Sequence, residues 1–195
     1  MFHVINTHYD DAGIIARAES SWLIRRYAHD YTQNVYKNHW EDPSAPTILL
    51  GDFSESTLCG VIARYCSLGR WLTTDSPPEE AGYRIMTSSA TPPGGAASQH
   101  FMDAYTHVSL RSPGNSGESQ PYGFRETYSG FKKPGDHAAT RIDFVMLAAD
   151  GKEGKGRWEV SRFGVIDNWV QGGVDGWKGR WSDHRLVRAT LRRLG

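Results

Sequence analysis

The stretch from Phe2 to His8, with Val4 and Ile5 at its centre, predicts a strand over 2–8 that starts directly behind Met1. Asp10 and Asp11 then place negative charge at the start of a helix expected from about 13 to 38. The first half of that helix carries no clean stripe. In the second half Ile24, Tyr27, Ala28, Tyr31 and Val35 recur at helical spacing and predict its buried face. Pro43 and Pro46 lie beyond the helix end. Thr47-Ile48-Leu49-Leu50, followed by Gly51, is a short apolar run of the kind found in strands covered on both faces.

Residues 54–75 read as a helix without a clear face, and 91–98 as a turn-rich piece. A strand is expected over 101–105 and a Ser-, Gly- and Pro-rich surface loop over 112–121. Three further strands are expected at 141–147, 158–166 and 184–191. In the last, Arg185, Val187, Ala189 and Leu191 alternate with Leu186, Arg188 and Thr190. Many strands with one long helix predict an α/β protein of sheets flanked by helices. There is no internal repeat.

Composition narrows this only a little. A chain of 195 residues is large enough for one domain with a real core, and seven Trp and nine Tyr argue for a packed protein rather than a disordered one. The 22 basic and 22 acidic residues balance, so no overall basic charge advertises long nucleic acid. The sequence as written shows no signal peptide and no apolar run of membrane-spanning length, which predicts a cytoplasmic protein without membrane contact. No obligate protein partner is evident. Cys59 and Cys66 lack the number for a disulfide framework and the spaced partners for a zinc site.

Chemistry concentrates in four strand-associated strings: Asn6-Thr7-His8, Leu50-Gly51-Asp52-Phe53, Arg141-Ile142-Asp143 and Ser182-Asp183-His184. Each alone has an ordinary reading, an Asp in a turn, a His at a strand end or an Arg paired with a neighbouring acid. Together they supply what attack on a phosphate ester requires. Asp183 and Asp52 are carboxylates suited to a hard divalent cation such as Mg²⁺ or Mn²⁺. His184 can donate to a phosphoryl oxygen or shuttle a proton, with Asp143 as the acceptor that sets its tautomer. His8 offers a second donor.

In this order the strings resemble the endonuclease/exonuclease/phosphatase superfamily, and Thr127-Tyr128-Ser129-Gly130-Phe131 adds to the likeness. The resemblance spans nearly all of residues 1–195 as a single domain, with 54–75 as the atypical segment. It implies a four-layer α-β-β-α sandwich of two packed sheets and a Mg²⁺- or Mn²⁺-dependent phosphoester hydrolase. By carry-over Asp183 and Asp52 are metal ligands and Asp52 also orients water. His184 is the phosphate-side histidine paired with Asp143, His8 touches phosphate, and Phe131 and Arg141 contact substrate. The implied substrate is a phosphorylated small molecule or a nucleic-acid end.

Two departures from the family pattern carry expectations of their own. Members place an Asn and a metal-binding Glu on an N-terminal portion that has no counterpart upstream of His8. The chain is therefore expected to be a partial sandwich with its N-terminal portion missing, and a catalytically inactive fragment with at most a binding role is the alternative reading. The family's Gly-Asp-Phe-Asn is also Gly-Asp-Phe-Ser here, and Ser54 lacks the amide that both donates and accepts. Ser54-Glu55-Ser56 can be encoded around GTGAGT, and Leu72-Thr73-Thr74-Asp75 around CTAAC and ACAG. Joining across them makes an Asn codon. A translated intron is thus one reading of 54–75, and a surface insertion, which costs a loop little stability, is the other.

Overall fold

The computed structural model describes residues 2–9, 13–38, 45–53, 81–111, 120–131, 133, 140–148 and 158–194. The first sheet contains β1 (His3–His8), β2 (Thr47–Asp52), β3 (Phe101–Asp103) and β5 (Asp143–Ala148), in the order β1-β2-β5-β3. β1 and β2 are parallel, with the crossover helix α1 (Ile14–Asn38) between them in sequence, and β5 runs antiparallel to both β2 and β3. The second sheet has the order β4-β6-β9, from Tyr122–Gly123, Trp158–Ile166 and Leu186–Arg193. A hairpin of β7 (Trp169–Gln171) and β8 (Lys178–Arg180) stands apart from both. Among the described residues there are also two short α-helices, α2 (Ala81–Thr87) and α3 (Ala104–Arg111), and two 3-10 turns at Pro93–Gly95 and Val174–Gly176.

Strand alternation sorts the side chains of the first sheet into two cores. Leu49, Phe144 and Met146 point to the helix side, where they join Ala28, Tyr83, Met86 and Phe101. Ile48, Val145 and Leu147 point the other way, toward Val160, Phe163 and Val165 of β6 and Val187, Ala189 and Leu191 of β9. β6 brings Val160 and Phe163 to the same face despite their odd separation, because a bulge lies between Val160 and Arg162. Each large side chain buried this fully contributes about 1.5–3 kcal/mol relative to exposure.

The expected strands at 2–8, 47–50, 141–147, 158–166 and 184–191 are present with shifts of one or two residues at their ends. The expected strand at 101–105 is shorter, because Asp103 ends it and caps α3: its Oδ1 accepts from Tyr105 N at 3.0 Å and its Oδ2 from Thr106 Oγ1 at 2.9 Å. The buried face of α1 differs from its apolar stripe. Ala28 is buried and Ile24 packs on the core, but Tyr27 and Tyr31 are more than half exposed. Arg17, Ser21 and Arg25 are buried in their place. Arg25 donates to the carbonyls of Ile85, Ala90 and Gln99 and to Ser98 Oγ, at 2.6 to 3.0 Å, and so ties α1 to α2 and to the segment after it. The Val35 side chain, Asp10 and Asp11, the helix expected at 54–75 and most of the loop expected at 112–121 lie outside the described residues.

Candidate active site

Strand polarity assembles the site. β1 and β2 are parallel, so His8 and Asp52 come at the same end, and β5 starts there because it is antiparallel. The register is His8↔Asp52 and Asp52↔Asp143, which places the three in one row across neighbouring strands. Residues in one row share a face. This row shares its face with Ile48, Val145 and Leu147, so it lies at the end of the layer between the sheets. Gly51 keeps the row tight: a Cβ there would stand 2.4 Å from Thr7 O and 2.8 Å from Thr7 Cγ2. Gly51→Ala is expected to push β1 away from β2 and cost about 1–3 kcal/mol, the usual price of overpacking, as read from chemical denaturation. A variant as stable as the parent would show that β1 yields freely at this point.

The fourth member arrives from the other end of the chain. His184 Nδ1 lies 2.8 Å from Asp143 Oδ2, and its Nε2 lies 3.7 Å from Asp52 Oδ2. His8 Nε2 also lies 3.7 Å from Asp52 Oδ2, from a far more exposed position. The loop bearing His184 is fastened by residues 127–129. Ser129 N donates to Asp183 O at 2.7 Å, Arg185 N donates to Thr127 O at 2.7 Å, and the Tyr128 ring meets His184 edge-on. Thr127, fully buried, accepts at its Oγ1 from the backbone N–H groups of Ile142 and Asp143 at 3.0 and 2.9 Å. One threonine thus links the start of β5 to the histidine loop.

The hydrogen bond to Asp143 raises the His184 pKa above its ordinary value; partial burial opposes this, and the charges of Asp143, Asp52 and Asp183 add to it. Asp52, Asp143 and His184 each offer a donor atom within 4.8 Å of the others, and all three are partly exposed. Such a cluster could hold a metal ion. Two carboxylates at a solvent-facing sheet end fit a hard cation, and the imidazole is already engaged by Asp143.

Asp183, expected as a metal ligand, is near enough to influence His184 but is not a member of that cluster. Phe131 is strongly exposed in the turn after Ser129-Gly130. Arg141, expected to contact substrate, is instead buried inside the fold. Its Nη1 lies 2.9 Å from Asp103 Oδ2 without hydrogen-bond alignment, and its guanidinium lies between the Tyr105 and Phe144 rings at 4.7 and 4.5 Å. With 7 % of the side chain exposed, it lies beside an acid in the interior, the ordinary reading of an Arg beside a strand. Sequence reasoning missed Thr127, Ser129 and Asn168 as parts of the site's support. Thr127 and Ser129 stand in the string 127–131 that adds to the family likeness, but their supporting role, like Asn168 altogether, leaves no local mark, since every bond they make to the site crosses between distant segments. Ser54 lies outside the described residues.

Among the described residues no helix is long and apolar enough to cross a membrane. No family model and no curated protein matches the chain. Solved structures do. An endonuclease/exonuclease/phosphatase family protein from Bacteroides thetaiotaomicron matches 97 % of this chain at a TM-score of 0.60 and 19 % identity. A mannosyl-6-phosphatase from the same organism matches 98 % at 0.58 and 19 %, and a functionally unknown conserved protein from Enterococcus faecalis matches 98 % at 0.52 and 20 %. The chain spans about half the length of these structures, 48 %, 51 % and 50 % respectively. Two mixed sheets packed face to face, helices on the outer side of one of them, and near-complete coverage by these neighbours give one conclusion: the chain has the fold of the endonuclease/exonuclease/phosphatase proteins.

Proposed function

We propose that this chain carries the catalytic end of a divalent-metal-dependent phosphoester hydrolase. The observation that carries the reading is the row His8, Asp52 and Asp143 closed by His184, with Asp143 on one imidazole nitrogen and Asp52 near the other. Asp143 fixes the tautomer of His184, so that Nε2 is the atom that faces the reacting group. Its raised pKa suits His184 to give a proton to a phosphoryl or leaving-group oxygen. Asp52 is the carboxylate for a Mg²⁺ or Mn²⁺ ion and for orienting water, with Asp183 as a second acid close by. When bound, such an ion neutralises charge on the phosphoryl oxygens. His8, exposed beside Asp52, is a donor to the same phosphate.

Balanced charge favours a phosphorylated small molecule or a nucleic-acid end over long duplex, because duplex binding depends on many basic contacts. The mannosyl-6-phosphatase neighbour makes sugar phosphates a natural first set of assay substrates. The test is release of phosphate from sugar phosphates, and of nitrophenol from mono- and diester nitrophenyl phosphates, with Mg²⁺ or Mn²⁺ and with chelator. Turnover that requires the ion and is lost in Asp52→Asn supports the reading.

Metal binding is checked separately. A ligand at about a hundred times its Kd stabilises the native state by about 2.7 kcal/mol. Mn²⁺ is expected to raise the melting temperature of the parent, and Asp52→Asn to lose most of that rise. An equal rise in both proteins would remove Asp52 from the metal site. A second reading is a catalytically inactive protein with at most a binding role. It predicts neither a metal-dependent thermal shift nor hydrolysis.

A further inference from the structure

Three consecutive carbonyls in the histidine loop are held from outside it. Asn168 Nδ2 donates to Ser182 O at 2.5 Å and to His184 O at 2.7 Å. Asp183 O, between them, accepts from Ser129 N at 2.7 Å and from Ser129 Oγ at 3.0 Å. Asn168 also reaches Ser129 Oγ at 3.3 Å, so the two clamps touch. Every peptide from Ser182 to His184 is thereby fixed.

The amide is itself locked. Asn168 is buried, and its Oδ1 accepts from Nη1 of Arg180, which also pairs with Asp167 Oδ1 at 2.9 Å. With the oxygen turned to the guanidinium, both N–H groups must face the loop carbonyls. An amide suits this place because it offers two donors and an acceptor on one planar group. A carboxylate of the same size would keep the bond to Arg180 but set its lone pairs against those of the carbonyls. Asn168 and Arg180 belong to β6–β8 and touch none of Asp52, Asp143 or the His184 ring through a bond described above.

We propose that Asn168, locked by Arg180, is a positioning residue that holds the Ser182–His184 backbone so that His184 meets Asp143 and Asp52. Its catalytic consequence rests on the phosphoesterase reading; the clamp itself does not. A residue that only supported the fold would, when changed, loosen the protein generally. A positioning residue loosens one loop and lowers turnover while substrate binding persists.

Asn168→Asp, nearly isosteric, separates these. Amide hydrogen exchange is expected to accelerate about tenfold or more at Ser129 and Arg185, whose N–H groups join the loop to residues 127–129, and to stay unchanged in the β2–β5 pairing. In steady state kcat is expected to fall about ten- to a hundredfold with KM within about twofold, as small misplacements of reacting groups do. Should Asn168→Asp not fold, the same measurements are taken on Arg180→Lys, which keeps the charge but loses the guanidinium fork. Unchanged exchange at both amides overturns the proposal. So does acceleration of equal size throughout β2 and β5, or a loss of activity carried by KM. The expected exchange pattern in a protein whose parent shows no turnover on any ester would support the clamp and overturn the phosphoesterase reading instead.

Discussion

His184→Ala is expected to lower the proposed phosphoesterase turnover by about 10²–10⁴-fold, the range associated with loss of a general acid or base. The size of the effect follows from what converges on this ring. Asp143 holds Nδ1 at 2.8 Å, Asp52 lies 3.7 Å from Nε2, and the Tyr128 ring bounds one side. Alanine removes the proton and the reason for the arrangement together. The charged form of His184 is favoured by the hydrogen bond to Asp143 first, with the neighbouring acids assisting. The folded pKa is raised, so the stability this pair adds is fully present below the ordinary imidazole value, about 6.5. It is lost as pH rises through the raised value. In metal-free protein followed by NMR, His184 is expected to titrate above its ordinary value and to return toward it in Asp143→Asn. The limb of the pH–rate profile that reports loss of the acid should move to lower pH in the same variant. Near-parental turnover in His184→Ala, or a profile unmoved by Asp143→Asn, would sink the assigned roles.

The largest stability effect is expected away from the chemistry, at Asp103. Its carboxylate is almost wholly buried and accepts from Tyr83 Oη at 2.8 Å, Thr106 Oγ1 at 2.9 Å and Tyr105 N at 3.0 Å. It is also the counter-charge for Arg141. Asp103→Ala leaves a buried guanidinium between two rings with its acid removed, uncaps α3 and strands the Tyr83 hydroxyl. Removing one partner of a buried pair costs about 3–5 kcal/mol, and urea unfolding should show a loss in that range. Asp103→Asn keeps volume and an acceptor, so it should cost less. Tyr83 reports on the same change. Its pKa is pushed up to about 12, by burial first and by the Asp103 charge second. In Asp103→Asn it should fall yet stay above the ordinary tyrosine value of about 10. A loss below about 1 kcal/mol in Asp103→Ala would mean that water reaches Arg141 as easily as in an exposed pair.

Much of the site could be read from the sequence because its members sit at strand ends beside apolar runs. Leu49, Leu50 and Gly51 announce β2 and deliver Asp52; Phe144 to Leu147 announce β5 and begin with Asp143. What the strings could not show is the register that puts His8, Asp52 and Asp143 in one row, since pairing is a long-range property. The buried face of α1 was hidden for a different reason. Ser21 and Arg25 are interior because hydroxyls and carbonyls meet them there, with Arg17 buried beside them, and periodicity weighs only apolar residues. Helix α3 and the end of β3 turn on a cap at Asp103, a residue that looks in sequence like one more strand position. Arg141 has the residue type of a phosphate ligand, and only its burial against Asp103 assigns it to the interior.

The order β1-β2-β5-β3 has a consequence for how the protein is made. β2 and β3 each hydrogen-bond to β5, which follows both in the chain. During synthesis the apolar run Thr47 to Leu50 leaves the ribosome with β1 to pair on one side, while its pairing partner on the other among the described residues, Asp143–Ala148, follows much later. For that interval the nascent chain carries a bare strand edge that is apolar on both faces, the kind of surface that joins to another copy. Any polypeptide cut short before Asp143 keeps that edge permanently. Such products should precipitate or be held by chaperones, and mutations that slow the arrival or docking of β5 should lower yield before they alter the finished molecule.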